Sequence, residues 1–205
     1  MNRRKFFRLS ALGSLGVMAA STVFSTACFI SGSVFNQILA YVGLGLRAFQ
    51  SILDILSGAG VIPAGGAGAI DAVVNLVKSG FADLQIAVEN YQNAPADQKN
   101  TLLQKVSTVL AVLEANLQQF WADLNIPDQA LGTLIKGLLG IILATLGGFA
   151  TQLPAPQSTP QIEKAKKLKN IIMVPAQKRT PKQFKNDFNA KLQQAGGDYT
   201  KYQVK

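Results

Sequence analysis

Apolar residues recur at alternating spacings of three and four along much of the chain. Four segments carry this pattern, at about 33–57, 69–92, 96–124 and 128–151. The third segment has the longest series: Leu103, Val106, Leu110, Leu113, Leu117, Phe120 and Leu124. A sustained 3-4 alternation places apolar side chains on one face of an α-helix, so it indicates helices that pack together through those faces. The pattern therefore predicts an all-α protein with four main helices.

Three short interruptions separate the four predicted helices. Pro63 lies among glycines in the first, Pro95 lies in the second and Pro127 lies in the third. Proline interrupts a helix because its ring removes a backbone donor and clashes with the preceding turn. Short connections favour antiparallel neighbours. We therefore predict an up-down-up-down four-helix bundle over residues 28–152.

The fourth predicted helix is unusually apolar. Residues 131–150 carry Lys136 as their only charge, and about 20 residues are enough to cross the core of a bilayer. Gly140, Ala144 and Gly148 recur every four residues, a spacing found where membrane helices pack closely. The alternative is a central helix of a soluble bundle, which is apolar on most sides because its neighbours cover it. The glycines within the segment favour the central helix, although both interpretations stay open.

The composition changes after residue 152. Residues 153–161 are rich in Pro and Gln and predict an extended linker. Residues 162–205 form a predicted basic tail, because the chain from position 156 onward has eleven Lys/Arg and three Asp/Glu. Eight of these cations are candidates for contact with a membrane surface or a partner: Lys164, Lys166, Lys167, Lys169, Lys178, Arg179, Lys182 and Lys185.

A short amphipathic helix is predicted near 181–195, within this tail. Thr180 and Gln183 have the spacing of a capping box, and Pro181 suits the first helical position. Three apolar residues share one face of the predicted helix: Phe184, Phe188 and Leu192. That face either inserts shallowly into a membrane or packs against the bundle, and the sequence slightly favours packing.

Composition excludes several classes of chemistry. Of the 205 residues, 15% are charged, compared with roughly 25% in an average soluble domain. The chain has no His and one Cys, which rules out His-containing metal sites, Ser-His-Asp triads and a disulfide within the chain. The acidic residues of the bundle are scattered singly, and the glycines at 65–68 are not followed by the Lys-Ser/Thr of a phosphate loop. We therefore predict no enzymatic activity, no metal and no cofactor.

The N-terminus has the organisation of an export signal. Four cations within the first eight residues precede a stretch without charge at positions 9–46, and a basic region followed by a short apolar region is typical of such signals. Arg3, Arg4 and Phe6 match the twin-arginine translocation signal, which this segment resembles. The resemblance implies that residues 1–27 are a signal peptide and that the protein is exported.

Cys28 lies where this signal would end. It follows the small residues Thr26 and Ala27, and it resembles the acylated cysteine of bacterial lipoproteins. That resemblance implies a lipoprotein on the periplasmic face of a bacterial membrane. The alternative is ordinary signal-peptidase cleavage after Ala27, which leaves no lipid.

The predicted function is a non-enzymatic binding or scaffolding role at the cell envelope. A lipid on Cys28 and the basic tail together would hold the protein at an anionic membrane surface. Nucleic acid is not an expected partner, because few aromatic residues lie among the cations to stack on bases. Two alternatives stay open: a carrier of a lipid or other apolar ligand, and a membrane-inserting protein that uses residues 131–150. Phe120 and Trp121 are expected in the core; the alternative is that they line a pocket for an apolar ligand. The oligomeric state is open.

Overall fold

The computed structural model describes residues 32–62, 68–168 and 175–205. Six α-helices and one 3-10 helix occur in these three ranges, which contain no strand. In chain order they are α1 (Gly32–Gly58), α2 (Ala69–Asn93), α3 (Lys99–Asp123), α4 (Gln129–Ala150), α5 (Pro160–Leu168), α6 (Pro181–Ala195) and the 3-10 helix (Gly197–Tyr202). The prediction of an all-α protein is confirmed.

Local side-chain chemistry sets several helix boundaries. Asp128 caps α4, since its carboxylate accepts a hydrogen bond from the backbone N–H of Leu131 at 2.8 Å. At the start of α6, the Thr180 hydroxyl accepts from the N–H of Gln183, and the Gln183 side chain accepts from the N–H of Thr180. These reciprocal bonds form a capping box. Helix α6 ends at Ala195 and is followed by Gly196, whose φ of 74° lies in the left-handed region that favours glycine.

The start of α1 lies beside the end of α2. Phe35 stacks on Tyr91 with the ring centroids 4.2 Å apart, and Gln92 donates a hydrogen bond to the side-chain oxygen of Asn36 at 3.0 Å. Both aromatic residues are buried. This end of α1 is also the end that follows Cys28 in the chain.

Helices α2 and α3 approach each other closely at a glycine. The position that a Cβ would take on Gly80 lies 3.1 Å from a methyl carbon of Leu113. Nearby, the side chain of Asn116 donates to the carbonyl oxygen of Leu76 at 3.5 Å. Later residues of α3 therefore lie beside earlier residues of α2.

Helix α4 contacts α1, α3 and α6. Near the start of α1, Tyr41 packs against Phe149 near the end of α4, with ring centroids 5.0 Å apart. In the second half of α1, Phe49 meets Phe120 of α3 edge to face at 5.1 Å. These four helices thus share one hydrophobic core.

The C-terminal region packs on the four long helices. Residues after α4 follow the first half of α3, where Ser107 donates to the carbonyl of Pro154 and the Thr108 hydroxyl accepts from the N–H of Gln157. Helix α5 then packs on α3. Helix α6 contacts both α1 and α4, and Phe184, Phe188 and Leu192 are each at most 1% exposed. Of the two interpretations of this apolar face, the structure has the packed one.

Helix α5 begins within the segment that the sequence predicts to be a linker. Residues 153–161 were expected to be a linker, but α5 begins at Pro160. Pro at a first helical position and Glu163 in the first turn both favour a helix start. Ile162 and Ala165 are buried, while the lysines between and after them are exposed. The short amphipathic pattern was too brief to identify without its partner helix α3.

Candidate functional site

The residues of the predicted export signal lie outside the described part of the chain. Arg3, Arg4, Phe6 and Cys28 all precede Gly32, the first residue of α1. The described residues contain no group of three or more His, Cys, Asp or Glu side chains that could hold a metal ion. The candidate sites in the structure are therefore a cationic surface, two apolar helices and a surface pocket.

Helix α5 presents one part of the cationic surface. Lys164, Lys166 and Lys167 are exposed on it. Lys166 forms an ion pair with Glu163 at 2.7 Å, and hydrogen bonds from Lys166 and Ser158 hold the pKa of the Glu163 carboxyl below its usual value. Lys164 and Lys167 form no ion pair within the described ranges.

The second part of the cationic surface lies at the start of α6. Lys178 and Lys182 are exposed and Lys185 is half-buried. None of the three forms an ion pair with another described residue. Lys169, a further predicted member, lies outside the described residues. The two parts lie on helices with different neighbours, because α5 packs on α3 while α6 packs on α1 and α4.

Arg179 has a different environment from the neighbouring lysines. Its Nε lies 2.9 Å from the Asp187 carboxylate, its side chain is only 13% exposed, and its Nη1 donates to the Thr145 hydroxyl at 3.4 Å. The phenol of Tyr41 donates to the Arg179 carbonyl. Burial raises the pKa of Tyr41 to about 12, although the Arg179 charge opposes that shift. Arg179 therefore fixes the entry to α6 on α1 and α4, a role that no local sequence signal indicated.

The small residues of α4 that recur every four positions, Gly140, Ala144 and Gly148, form a stripe. The chain that leads into α6 packs against part of this stripe. A Cβ on Gly148 would lie 2.3 Å from the carbonyl oxygen of Gln177, closer than any real contact. The N–H of Gln177 donates to the carbonyl of Ala144 at 2.8 Å. Part of the stripe that resembled a membrane-helix contact is thus occupied by the protein's own backbone.

Two described helices are long and apolar enough to cross a membrane. They are α4 and the part of α1 from Val34 to Gly58. Of their most apolar windows, 61% and 56% respectively are buried within the structure. Length and composition alone do not separate a spanning helix from a core helix. The burial shows which surfaces of these helices the rest of the chain covers.

A pocket of about 460 Å³ opens at the connection between α3 and α4. Trp121 lines it and is half-buried. Phe120 is 1% exposed and belongs to the core. The sequence predicts the same environment for these two adjacent aromatic residues, but in the structure Phe120 lies in the core and Trp121 lines the pocket. The pocket also includes Leu124, Ile126, Ile135 and Leu139, residues that the sequence analysis did not connect with a site.

Comparisons with known proteins add no assignment to these residues. The chain matches no protein-family profile, no curated protein sequence and no solved structure.

Proposed function

We propose that this chain is an exported, lipid-anchored, non-enzymatic protein that binds or scaffolds at the periplasmic face of a bacterial membrane. Its four long helices form an up-down-up-down bundle. Cys28 carries the lipid, and the cationic surface on α5 and α6 contacts anionic headgroups. The observation that carries the proposal is the set of lysines on α5 and at the start of α6 that form no ion pair with a described residue: Lys164, Lys167, Lys178, Lys182 and Lys185.

The bundle topology is supported by contacts at the helix ends. Phe35 at the start of α1 stacks on Tyr91 at the end of α2, and Tyr41 packs on Phe149 at the end of α4. Alternating directions bring these ends together. Cys28 is four residues before Gly32, so a lipid on it would hold this end of the bundle near the membrane.

The distribution of charge favours one orientation on the membrane. Helix α2 contacts α1 and α3 but none of α4, α5 and α6, and it carries Asp71, Asp83, Glu89 and one cation, Lys78. The lysines of α5 and α6 lie on helices that do not contact α2. An anionic leaflet attracts these lysines and repels the acidic residues of α2.

The lysines at the start of α6 come closest to the lipid headgroups if the long axis of the bundle lies parallel to the membrane. Tyr41, which marks the level of the α6 start, is nine residues into α1, or about 14 Å along its axis. Screening reduces the field of the headgroups over about 8 Å at physiological salt. A bundle standing on its end would hold Lys178 and Lys182 beyond that distance, whereas a bundle lying on its α4 side would bring them to the headgroups. One lipid plus a basic surface gives a stable attachment that neither gives alone.

The test is vesicle binding by an unlipidated form, residues 29–205, in which Lys178, Lys182 and Lys185 are replaced by Gln. Each lysine near an anionic leaflet contributes up to about 1 kcal/mol, so affinity for anionic vesicles should fall at least about tenfold. Truncation at Thr151 is a poorer test, because it also removes the buried face of α6 from the core.

A matched variant separates position from net charge. Replacing Lys78, Lys99 and Lys201 by Gln removes the same number of charges at positions away from α4 and the start of α6, since Lys78 belongs to α2 and Lys99 lies over Tyr91 of α2, and it should leave most of the binding intact. Equal losses in the two variants would contradict the proposed membrane-facing side. Neutral vesicles should bind neither variant.

Membrane insertion is the second candidate function, because α1 and α4 have the length and composition to cross a bilayer. Binding to vesicles that survives high salt would favour insertion over surface contact, since screening does not weaken apolar burial. A carrier role is tested separately, by native mass spectrometry of the purified protein for a bound lipid.

A further inference from the structure

The pocket at the α3–α4 connection has an apolar floor. Ile135 and Leu139 of α4 line it, and each is 1% exposed. Leu124 and Ile126 are half-buried and form part of its wall. A concave site of about 460 Å³ falls within the roughly 300–1,000 Å³ of typical small-molecule sites.

The connection that forms the wall is held in place by two features of α4. Gly132 has no side chain, and its Cβ position lies 3.8 Å from two carbons of Ile126, so the connection packs closely on the helix. Asp128 accepts a hydrogen bond from the N–H of Leu131, which fixes the point where α4 begins. The wall is therefore preorganised by the same residues that start the helix.

Two charged side chains line the pocket, Asp128 and Lys136. The carboxylate of Asp128 is engaged at the helix N-terminus, where the positive end of the helix dipole offsets its charge. Lys136 is exposed and forms no ion pair with a described residue. Lys136 is thus the charged pocket-lining residue without a polar partner among the described residues, and its ammonium group complements an anion.

Trp121 supplies the remaining chemistry. It is one of the residues that line the pocket, and an indole favours stacked or edge contacts with a flat ring. We propose that this pocket binds a small planar aromatic carboxylate, with its ring between Trp121 and the apolar floor and its carboxylate on Lys136. The proposal does not depend on the lipid anchor or on the membrane-facing side.

The test uses three probes that share a naphthalene ring system and differ in charge. They are 2-naphthoate (negative), 2-naphthylmethanol (neutral) and 2-naphthylmethylammonium (positive). Trp121 is the only tryptophan, so the full chain gives one indole N–H signal in a ¹H–¹⁵N spectrum. That signal should shift during titration with 2-naphthoate. A hydrogen bond to a charged group should make the carboxylate bind about tenfold more tightly than the alcohol, and the ammonium probe should bind most weakly.

Two lysine variants test the role assigned to the pocket. Lys136→Gln should reduce binding of 2-naphthoate to the level of the alcohol, and Lys105→Gln, which alters an exposed lysine of α3 outside the pocket, should leave the preference unchanged. Trp121→Phe should weaken all three probes, followed through the backbone N–H signals of Leu124 and Thr133. Both lysines are exposed, so neither variant should disturb folding.

Three results would overturn the proposal. One is an indole signal that does not move at about 1 mM probe, a concentration that detects even weak binding. Another is equal affinity for the carboxylate and ammonium probes. The third is an equal loss of binding in Lys105→Gln and Lys136→Gln. None of these results bears on vesicle binding, so the two proposals fail independently.

Discussion

The contact between α4 and the chain entering α6 depends on the absence of a side chain at Gly148. An alanine there would place its Cβ 2.3 Å from the carbonyl oxygen and 2.7 Å from the carbonyl carbon of Gln177. Both neighbours are backbone atoms, which cannot move aside as a flexible side chain does. The segment around Gln177 must therefore leave its position on α4.

The expected cost of Gly148→Ala follows from the interactions that this movement affects. Overpacking at a close contact costs about 1–3 kcal/mol, and loss of the hydrogen bond from Gln177 to Ala144 costs about 1 kcal/mol. Alanine regains up to about 1 kcal/mol through its higher helix propensity. The free energy of unfolding should fall by about 1–3 kcal/mol, measured by urea denaturation.

Gly147→Ala is a control in the same turn of the same helix. Its Cβ would lie 3.5 Å from the Cβ of Ala176 and 3.8 Å from Glu114 Oε1, which are ordinary contact distances. Helix propensity should therefore make this variant neutral or slightly more stable. In hydrogen exchange, the Gln177 amide should lose protection in Gly148→Ala and keep it in Gly147→Ala. Equal stability of the two variants would refute the assigned contact.

Three further predictions concern the core, the pH dependence and export. Leu110→Ala and Leu113→Ala should each lower the free energy of unfolding by about 2–5 kcal/mol in urea denaturation, since the side chains are 1% and 0% exposed. The pKa of Tyr41 is raised from 10.0 to about 12, so its stabilisation is present below pH 10 and is lost as the pH rises from 10 to 12; in Tyr41→Phe this part of the pH dependence should disappear. Arg3→Lys combined with Arg4→Lys should cause the precursor to accumulate inside the cell, detected by fractionation.

Each of these predictions has a control or a contradicting outcome. Leu76→Ala alters a leucine that is 50% exposed and should change stability by less than about 0.5 kcal/mol. Tyr199→Phe is the control for Tyr41→Phe and should retain the loss of stability between pH 10 and 12. Normal export of the double lysine variant would indicate the general secretory route instead.

Much of the helical structure could be predicted from short-range pattern. The second predicted helix, 69–92, corresponds to α2 at Ala69–Asn93, because the 3-4 spacing and the flanking prolines act within a few residues. The seam residues Leu110, Leu113 and Phe120 are all buried. The capping box of Thr180 and Gln183 was equally local, and α6 begins where that signal lies.

The candidate sites were less predictable because they depend on residues far apart in the chain. The eight tail cations could be identified by composition, but composition did not distinguish Arg179, which is paired with Asp187 and Thr145, from its exposed neighbours. The pocket joins Trp121 to Leu139 through the geometry of one connection. Neither arrangement has a signature in local spacing.

The sequence by itself determined that the chain is helical, where its long helices begin and end to within three residues, and which face of each is apolar. Those properties depend on propensity and periodicity, which act over one or two helical turns. Only the tertiary structure decided what covers each face. The glycines of α4 predicted a close approach but not its partner, and that partner is the backbone of residue 177, whose carbonyl occupies the space at Gly148. A glycine leaves space on the surface of a helix, and the tertiary packing determines which part of the chain occupies that space.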